Sequence, residues 1–332
     1  MKRLARFGVR RGTSALSTVL ALAAAVTLAA PAAAQSGLSS LLDRFKDQNP
    51  RCGRVFVVTT QNQLLGLGRI EDLGNDPLFE LFTGTPNAVP IRTHRAVTGL
   101  AAGETLRGID FRPANGLLYG LGRIGGDSAG QLYTIDLDTG AVAPVGPRAI
   151  PLNGSGFGFD FNPVPDRLRI VSDTGQSMRI NPNDGTVSAT DGALAYPAAG
   201  DPNSGRVARV VSVAYTNPDT DPQTNTVLHD LDIGRAAEPD RDGDVLAIQV
   251  PPNAGTLNTV GALRIDASDV GGFDIGPRNE ALAAILPEGG GSSKLYAIDL
   301  PSGGAWEIGE IVPRQVVTGL AIGLGPLCVE AQ

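Results

Sequence analysis

Residues 156–185 read GFGFDFNPVPDRLRIVSDTGQSMRINPNDG, and this stretch sets the fold class. Gly158-Phe159-Asp160-Phe161 is a short apolar run. It ends at Asn162-Pro163-Val164-Pro165-Asp166, whose two prolines break any helix or central strand. Arg167-Leu168-Arg169-Ile170-Val171 then alternates charged and apolar residues, the two-residue period of a strand. Asp173-Thr174-Gly175 turns the chain again, and Met178-Arg179-Ile180-Asn181 reads as a third strand. Strands this short, joined by tight turns and without a helical period, predict an antiparallel all-β unit.

The unit recurs. Gly108-Ile109-Asp110-Phe111, Gly158-Phe159-Asp160-Phe161 and Gly272-Phe273-Asp274-Ile275 share a G-x-D motif, followed in each case by a proline (Pro113, Pro163, Pro277). Ser212-Val213-Ala214-Tyr215 and Gly319-Leu320-Ala321-Ile322 are copies without the aspartate. Downstream, QLYTIDLDTG (131–140) resembles KLYAIDLPSG (294–303), and MRINPNDG (178–185) fits the same frame. QLLGLGRI (63–70) likewise resembles LLYGLGRI (117–124). The copies start 50, 54, 60 and 47 residues apart. Such periods, with several strands in each, predict propeller blades, since a ring of sheets buries both faces of each sheet and leaves few free edges. The last copy, near 317–323, and the first region, 54–82, are partial units that complete one blade between them. We expect an all-β, five-bladed β-propeller over residues 54–328, with a six-bladed or irregular ring as the alternative.

The flanks read differently. Lys2, Arg3, Arg6, Arg10 and Arg11 precede an apolar run from Ala15 to Ala30 and an Ala32-Ala33-Ala34 cleavage signal, so residues 1–34 are expected to be a signal peptide. The protein would then be exported, to the periplasm or beyond the cell. Residues 35–53 form a lead-in, with Leu38, Leu41, Leu42 and Phe45 spaced for one face of a short helix. Cys52 and Cys328 bracket the presumed core, and export favours a disulfide between them. Cleavage removes five of the 27 basic residues and none of the 34 acids, which leaves 298 residues with a net charge of −12. That charge argues against nucleic acid and anionic membrane as partners. No second apolar run is long enough for a membrane span.

Several segments carry a family resemblance: GETLRGIDFRP (103–113), residues 156–185 above, DGALAY (191–196), AIQVPPNAGTLNTVGAL (247–263) and GFDIG (272–276). Together they are similar to the bacterial domain-of-unknown-function family 4394, from about Arg54 to Gly323. The resemblance implies a propeller-like β fold and secretion from bacteria. It implies no known activity and supplies no catalytic residues.

Candidate chemistry is sparse. Asp138-Thr139-Gly140 and Asp173-Thr174-Gly175 look like aspartic-protease loops, but they lie 35 residues apart at equivalent turns, where Asp-x-Gly serves local hydrogen bonding. Gly120, Gly122 and Gly125 spell G-x-G-x-x-G without the helix that a dinucleotide needs. Only His94 and His229 are present, with no zinc-type cluster, and the G-x-S-x-G match at Gly126-Asp127-Ser128-Ala129-Gly130 leads into another strand and not into the helix of a nucleophile elbow. Asp110, Asp160 and Asp274 hold one position in three repeats. They are either carboxylates converging on a channel cation, with Ca²⁺ the one cofactor candidate, or structural acceptors that each blade needs. Asp240, Asp242 and Asp244 form a second, weaker calcium-like loop. Arg167 and Arg169 share a strand face that would suit an anionic or sugar ligand, or else face solvent. The reading is an exported, non-catalytic binding module whose partner is a protein, a glycan or a small molecule. The alternative is a calcium-dependent hydrolase or lactonase-like propeller built on the three aspartates.

Overall fold

A computed structural model describes residues 53–73, 88–234 and 243–324. The expected signal peptide, lead-in helix and Cys52–Cys328 pair lie outside the described residues, as do Asp240 and Asp242. The described chain is all-β, with five antiparallel sheets and two single 3-10 turns, Ile70–Asp72 and Pro252–Ala254.

Five sheets form five blades. Blade 1 contains β5 (Glu104–Phe111), β6 (Leu118–Ile124), β7 (Ala129–Ile135) and β8 (Val142–Pro151). Blade 2 contains β9 (Phe157–Asn162), β10 (Arg167–Ser172), β11 (Ser177–Ile180) and β12 (Val187–Thr190). Blade 3 contains β13 (Val210–Tyr215), β14 (Leu228–Asp232), β15 (Val245–Gln249) and β16 (Leu257–Ala262). Blade 4 contains β17 (Ala267–Ile275), β18 (Ala281–Pro287), β19 (Lys294–Ile298) and β20 (Ala305–Val312). Blade 5 joins the two ends of the described chain. Its inner strand is β21 (Val317–Ile322), followed outward by β1 (Arg54–Thr59), β2 (Gln63–Arg69) and β4 (Thr93–Ala96).

The shared blade matches the expectation from the two partial repeats. One detail does not. QLLGLGRI lies on the third strand of blade 5, whereas LLYGLGRI lies on the second strand of blade 1, so this pair of octets is not a structural repeat. A strand absent from the sequence reading, β3 (Ala88–Pro90), pairs in parallel with β20 and covers the outer edge of blade 4.

Each interface between blades carries its own apolar layer, which is how period-2 strands bury both faces. Blades 1 and 2 pack through Leu121, Leu132, Phe159, Phe161, Leu168 and Ile170. Blades 5 and 1 pack through Val58, Leu64, Leu106, Ile109, Phe111 and Ala321. At the axis the inner strands approach closely. A Cβ on Gly158 would stand 2.9 Å from the Val213 nitrogen, and one on Gly319 would stand 2.8 Å from the Ile109 nitrogen. Glycine at this position therefore permits the close approach of neighbouring inner strands, although blade 3 carries Ser212 there.

Candidate functional site

The aspartate of the motif sits two residues beyond that glycine, on the same face of its strand. The three copies converge on the axis: Asp110, Asp160 and Asp274 each place a carboxylate oxygen within 4.8 Å of the others, and all three are buried. Asp110 accepts from the Phe111 nitrogen at 2.6 Å and from the Phe161 nitrogen of the next blade at 2.8 Å. Asp160 accepts from the Tyr215 nitrogen at 3.0 Å. Asp274 accepts from the Ile275 nitrogen at 2.6 Å and from the Ile322 nitrogen at 2.5 Å. Phe111, Phe161, Tyr215, Ile275 and Ile322 are the five equivalent inner-strand positions, so three carboxylates satisfy one N–H in every blade. Blades 3 and 5 carry Ala214 and Ala321 at the aspartate position. Asp274 and Asp110 compensate by turning their first oxygen onto their own strand.

Burial pushes all three carboxyls up, and mutual repulsion adds to it for Asp110 and Asp160; Asp274 is raised to about 7. Three charges held this close in a low dielectric need either protons or a cation. Calcium bonds to oxygen at about 2.3–2.6 Å, so oxygens of one shell can lie as far apart as these. Asp160 has one oxygen to which no backbone donor is directed. Beneath the ring, the axis narrows to a cavity of about 10 Å³ lined by Gly108, Gly272 and Gly319, room for about one water.

The other sequence candidates fall elsewhere. Arg169 is buried between blades 2 and 3, so the charged–apolar alternation of its strand does not mark a solvent face. Its guanidinium donates to Tyr215 (2.9 Å), Ser177 (2.8 Å), Asp191 (2.9 Å) and Asn253 (2.9 Å). Arg167, partly exposed, donates to the Asp166 carbonyl at 2.8 Å. Asp244 is buried and accepts from the Ala267 nitrogen at 2.6 Å, a joint between blades 3 and 4. The two D-T-G segments are turns, with Gly140 and Gly175 at φ 76° and 81°.

Sequence reasoning missed a cavity at the rim. It holds about 690 Å³, lies between blades 5 and 1, and is walled by Arg54, Arg69, Arg92 and Arg95, with Asp72 and Asp138 among them. Its apolar surface comes from Val55, Phe56 and Leu137, and its wall includes Gly66 and Gly68. Arg95 donates to the Asp138 carbonyl at 2.6 Å and so ties the two blades at the rim. The arginines come from β1 (Arg54), β2 (Arg69), β4 (Arg95) and the turn before β4 (Arg92), so no one local motif gathers them.

Residues 80–321 match the family model described as "Domain of unknown function (DUF4394)". No curated protein matches. Among solved structures, the chain resembles the Dos1 propeller at 12% identity and a TM-score of 0.37, over 76% of this chain and 60% of that one. It also resembles two proteins described as putative 6-phosphogluconolactonases. The one from Bacteroides uniformis is 15% identical with a TM-score of 0.34, over 80% of this chain and 72% of that one. The one from Bacteroides fragilis is 15% identical with a TM-score of 0.35, over 83% and 71%.

Proposed function

This chain belongs to the DUF4394 family, and from its own geometry we propose that it is an exported, non-catalytic binding module. One observation carries the reading. The cavity large enough for a small molecule is lined chiefly by arginines and apolar groups, and among the described residues its walls hold no serine, cysteine, histidine or lysine, the other polar side chains being Asp72, Asp138 and Thr93. The repeated aspartates, by contrast, spend five of their six oxygens on closing the ring. In this reading they are joints, and the rigid ring is a scaffold for a site at its rim.

A second reading, a calcium-dependent hydrolase or lactonase-like enzyme, is favoured by the convergence of the three carboxylates. A cation there would act as a Lewis acid or activate water, which requires an open ligand position that substrate can reach. The carboxylates are only 3–6% exposed, which favours a structural cation over a catalytic one. Elemental analysis and thermal melts with and without EDTA separate these ideas. We expect no activity on lactones or esters, whatever the metal content. Turnover that is lost with EDTA and in Asp160→Asn would overturn the binding-module reading.

A further inference from the structure

Several buried carboxylates carry a counter-charge with them. Glu104 meets Arg148 at 2.7 Å, Asp191 meets Arg169 at 2.9 Å and Arg179 at 2.8 Å, and Glu280 meets Arg278 at 3.0 Å. The axial carboxylates carry none. Among the described residues, the hydrogen bonds to Asp110, Asp160 and Asp274 all come from backbone N–H groups of the inner strands, and no basic side chain reaches them. A buried charge without a partner is costly, and here three lie within 4.8 Å of one another. Asp160, 3% exposed, also turns one oxygen into the group with no donor on it. A second feature lies next to the cluster. The cavity on the axis is walled by Gly108 and Gly272, which stand two residues from Asp110 and Asp274, and by Ser212, which blade 3 carries at the glycine position. Ser212 is 4% exposed, and its hydroxyl has no hydrogen-bond partner among the described residues. An enclosed hydroxyl facing a cavity of this size is satisfied by one water.

We propose that Asp110, Asp160 and Asp274 hold a structural calcium ion on the axis, which ties the inner strands of blades 1, 2 and 4 together. The donors are all oxygens, which selects a hard cation over zinc or copper. Calcium–oxygen bonds of about 2.3–2.6 Å place two oxygens of one shell up to about 5 Å apart, a span that covers these carboxylates. Magnesium, with bonds of about 2.0–2.1 Å and a strict octahedron, suits ligands fixed on three separate strands less well. The backbone bonds do not compete with the ion, because a carboxylate oxygen that accepts one N–H keeps a lone pair for the metal. Ala214 and Ala321 hold the aspartate position in blades 3 and 5, so the rest of the coordination shell falls to water. Ser212 is placed to bind such a water from the cavity side. The ion goes beyond the binding-module reading and is independent of what the rim cavity holds.

Thermal melts of the purified protein, stripped with EDTA and desalted, test the site with calcium, magnesium and sodium chlorides at matched ionic strength. Calcium at about a hundred times its Kd should raise the melting temperature by roughly 5–10 °C, magnesium by less, and sodium not at all. Asp160→Asn keeps an acceptor for the Tyr215 N–H and puts an amide nitrogen, which cannot ligate, in place of the free oxygen. This variant should fold and lose the calcium shift, and elemental analysis should find one calcium per chain fewer in it than in the native protein. A native protein that carries no calcium and shows no shift would overturn the site, as would a full shift retained in Asp160→Asn. An equal shift from magnesium would overturn the choice of ion. Turnover of a lactone or ester is read in a separate assay and would remove the non-catalytic reading while leaving this site in place.

Discussion

The junction between blades 1 and 2 and the junction between blades 5 and 1 have the same strands around them and opposite contents. In the first, Arg112 is buried against Asp166, Asn183 and Tyr119 and locks two blades together. In the second, Gly323 leaves a cavity with arginines on its walls. The axis gives the same lesson in acidic form, where Asp110, Asp160 and Asp274 recur because each blade needs an acceptor for one backbone N–H. Residues that repeat are joints. Arg112 does not repeat: the equivalent positions of the other blades carry Asn162, Thr216, Gly276 and Gly323, so its joint is particular to one junction.

This contrast can be broken in several ways, the largest first. Arg112→Ala removes a buried charge with four hydrogen bonds to three partners, and should cost on the order of 3 kcal/mol and lower the melting temperature by roughly 6–12 °C. A drop below about 2 °C would mean that the junction is not a joint. The axial aspartates should rank by the number of donors each satisfies. Asp110→Ala strands two buried N–H groups and Asp160→Ala strands one, for losses of about 2 and about 1 kcal/mol once relief of repulsion is included. Equal losses, measured by denaturant melts, would contradict the ring of acceptors.

The pH dependence has a definite sign. Burial raises Asp110, Asp160 and Asp274 in the folded state, so between about pH 4 and pH 7 the fold holds more protons than the unfolded chain. Stability from Asp274 is present below pH 4 and is lost as pH rises through about 7, and Asp110 and Asp160, raised in the same direction by burial, add to the loss above pH 4. Buried Asp230 and Asp244, the latter raised to about 6, add to the same trend. His229, pushed down to about 4 by burial, opposes it, as do the lowered carboxyls of Glu104 and Asp201 at the acid end of the range. In EDTA the melting temperature should therefore be higher at pH 5 than at pH 8, and Asp160→Asn should shrink the difference. A melting temperature that rises across this range would refute the assignment. The smallest effect is expected at Asp230, which lies between Val213 and Ala247 with both oxygens buried and unbonded. Asp230→Asn should raise the melting temperature at pH 8 by about 2–4 °C, equivalent to about 1 kcal/mol.

The fold was legible in the sequence because its signals are local and repeated. G-x-D marks the inner strand, its glycine permits the close approach at the axis, and the blade shared by the two ends followed from two incomplete copies. The axial cluster was legible for the same reason. What could not be read was which face of a period-2 strand meets solvent. In a propeller both faces meet a neighbouring blade, so the alternation around Arg169 marks a buried polar cluster. The parallel strand Ala88–Pro90 was hidden because its partner, Glu310–Val312, lies over 200 residues away. The cavity was hidden because its arginines sit on β1, β2 and β4 and in the turn before β4, and only the fold brings them together.

The most direct test is the melting temperature of Arg112→Ala beside that of Asp110→Ala. Each residue joins two blades through more than one hydrogen bond, so both variants should melt several degrees below the native protein. Variants that fold and melt within about 2 °C of the native protein would contradict the account, because these residues would then not be joints.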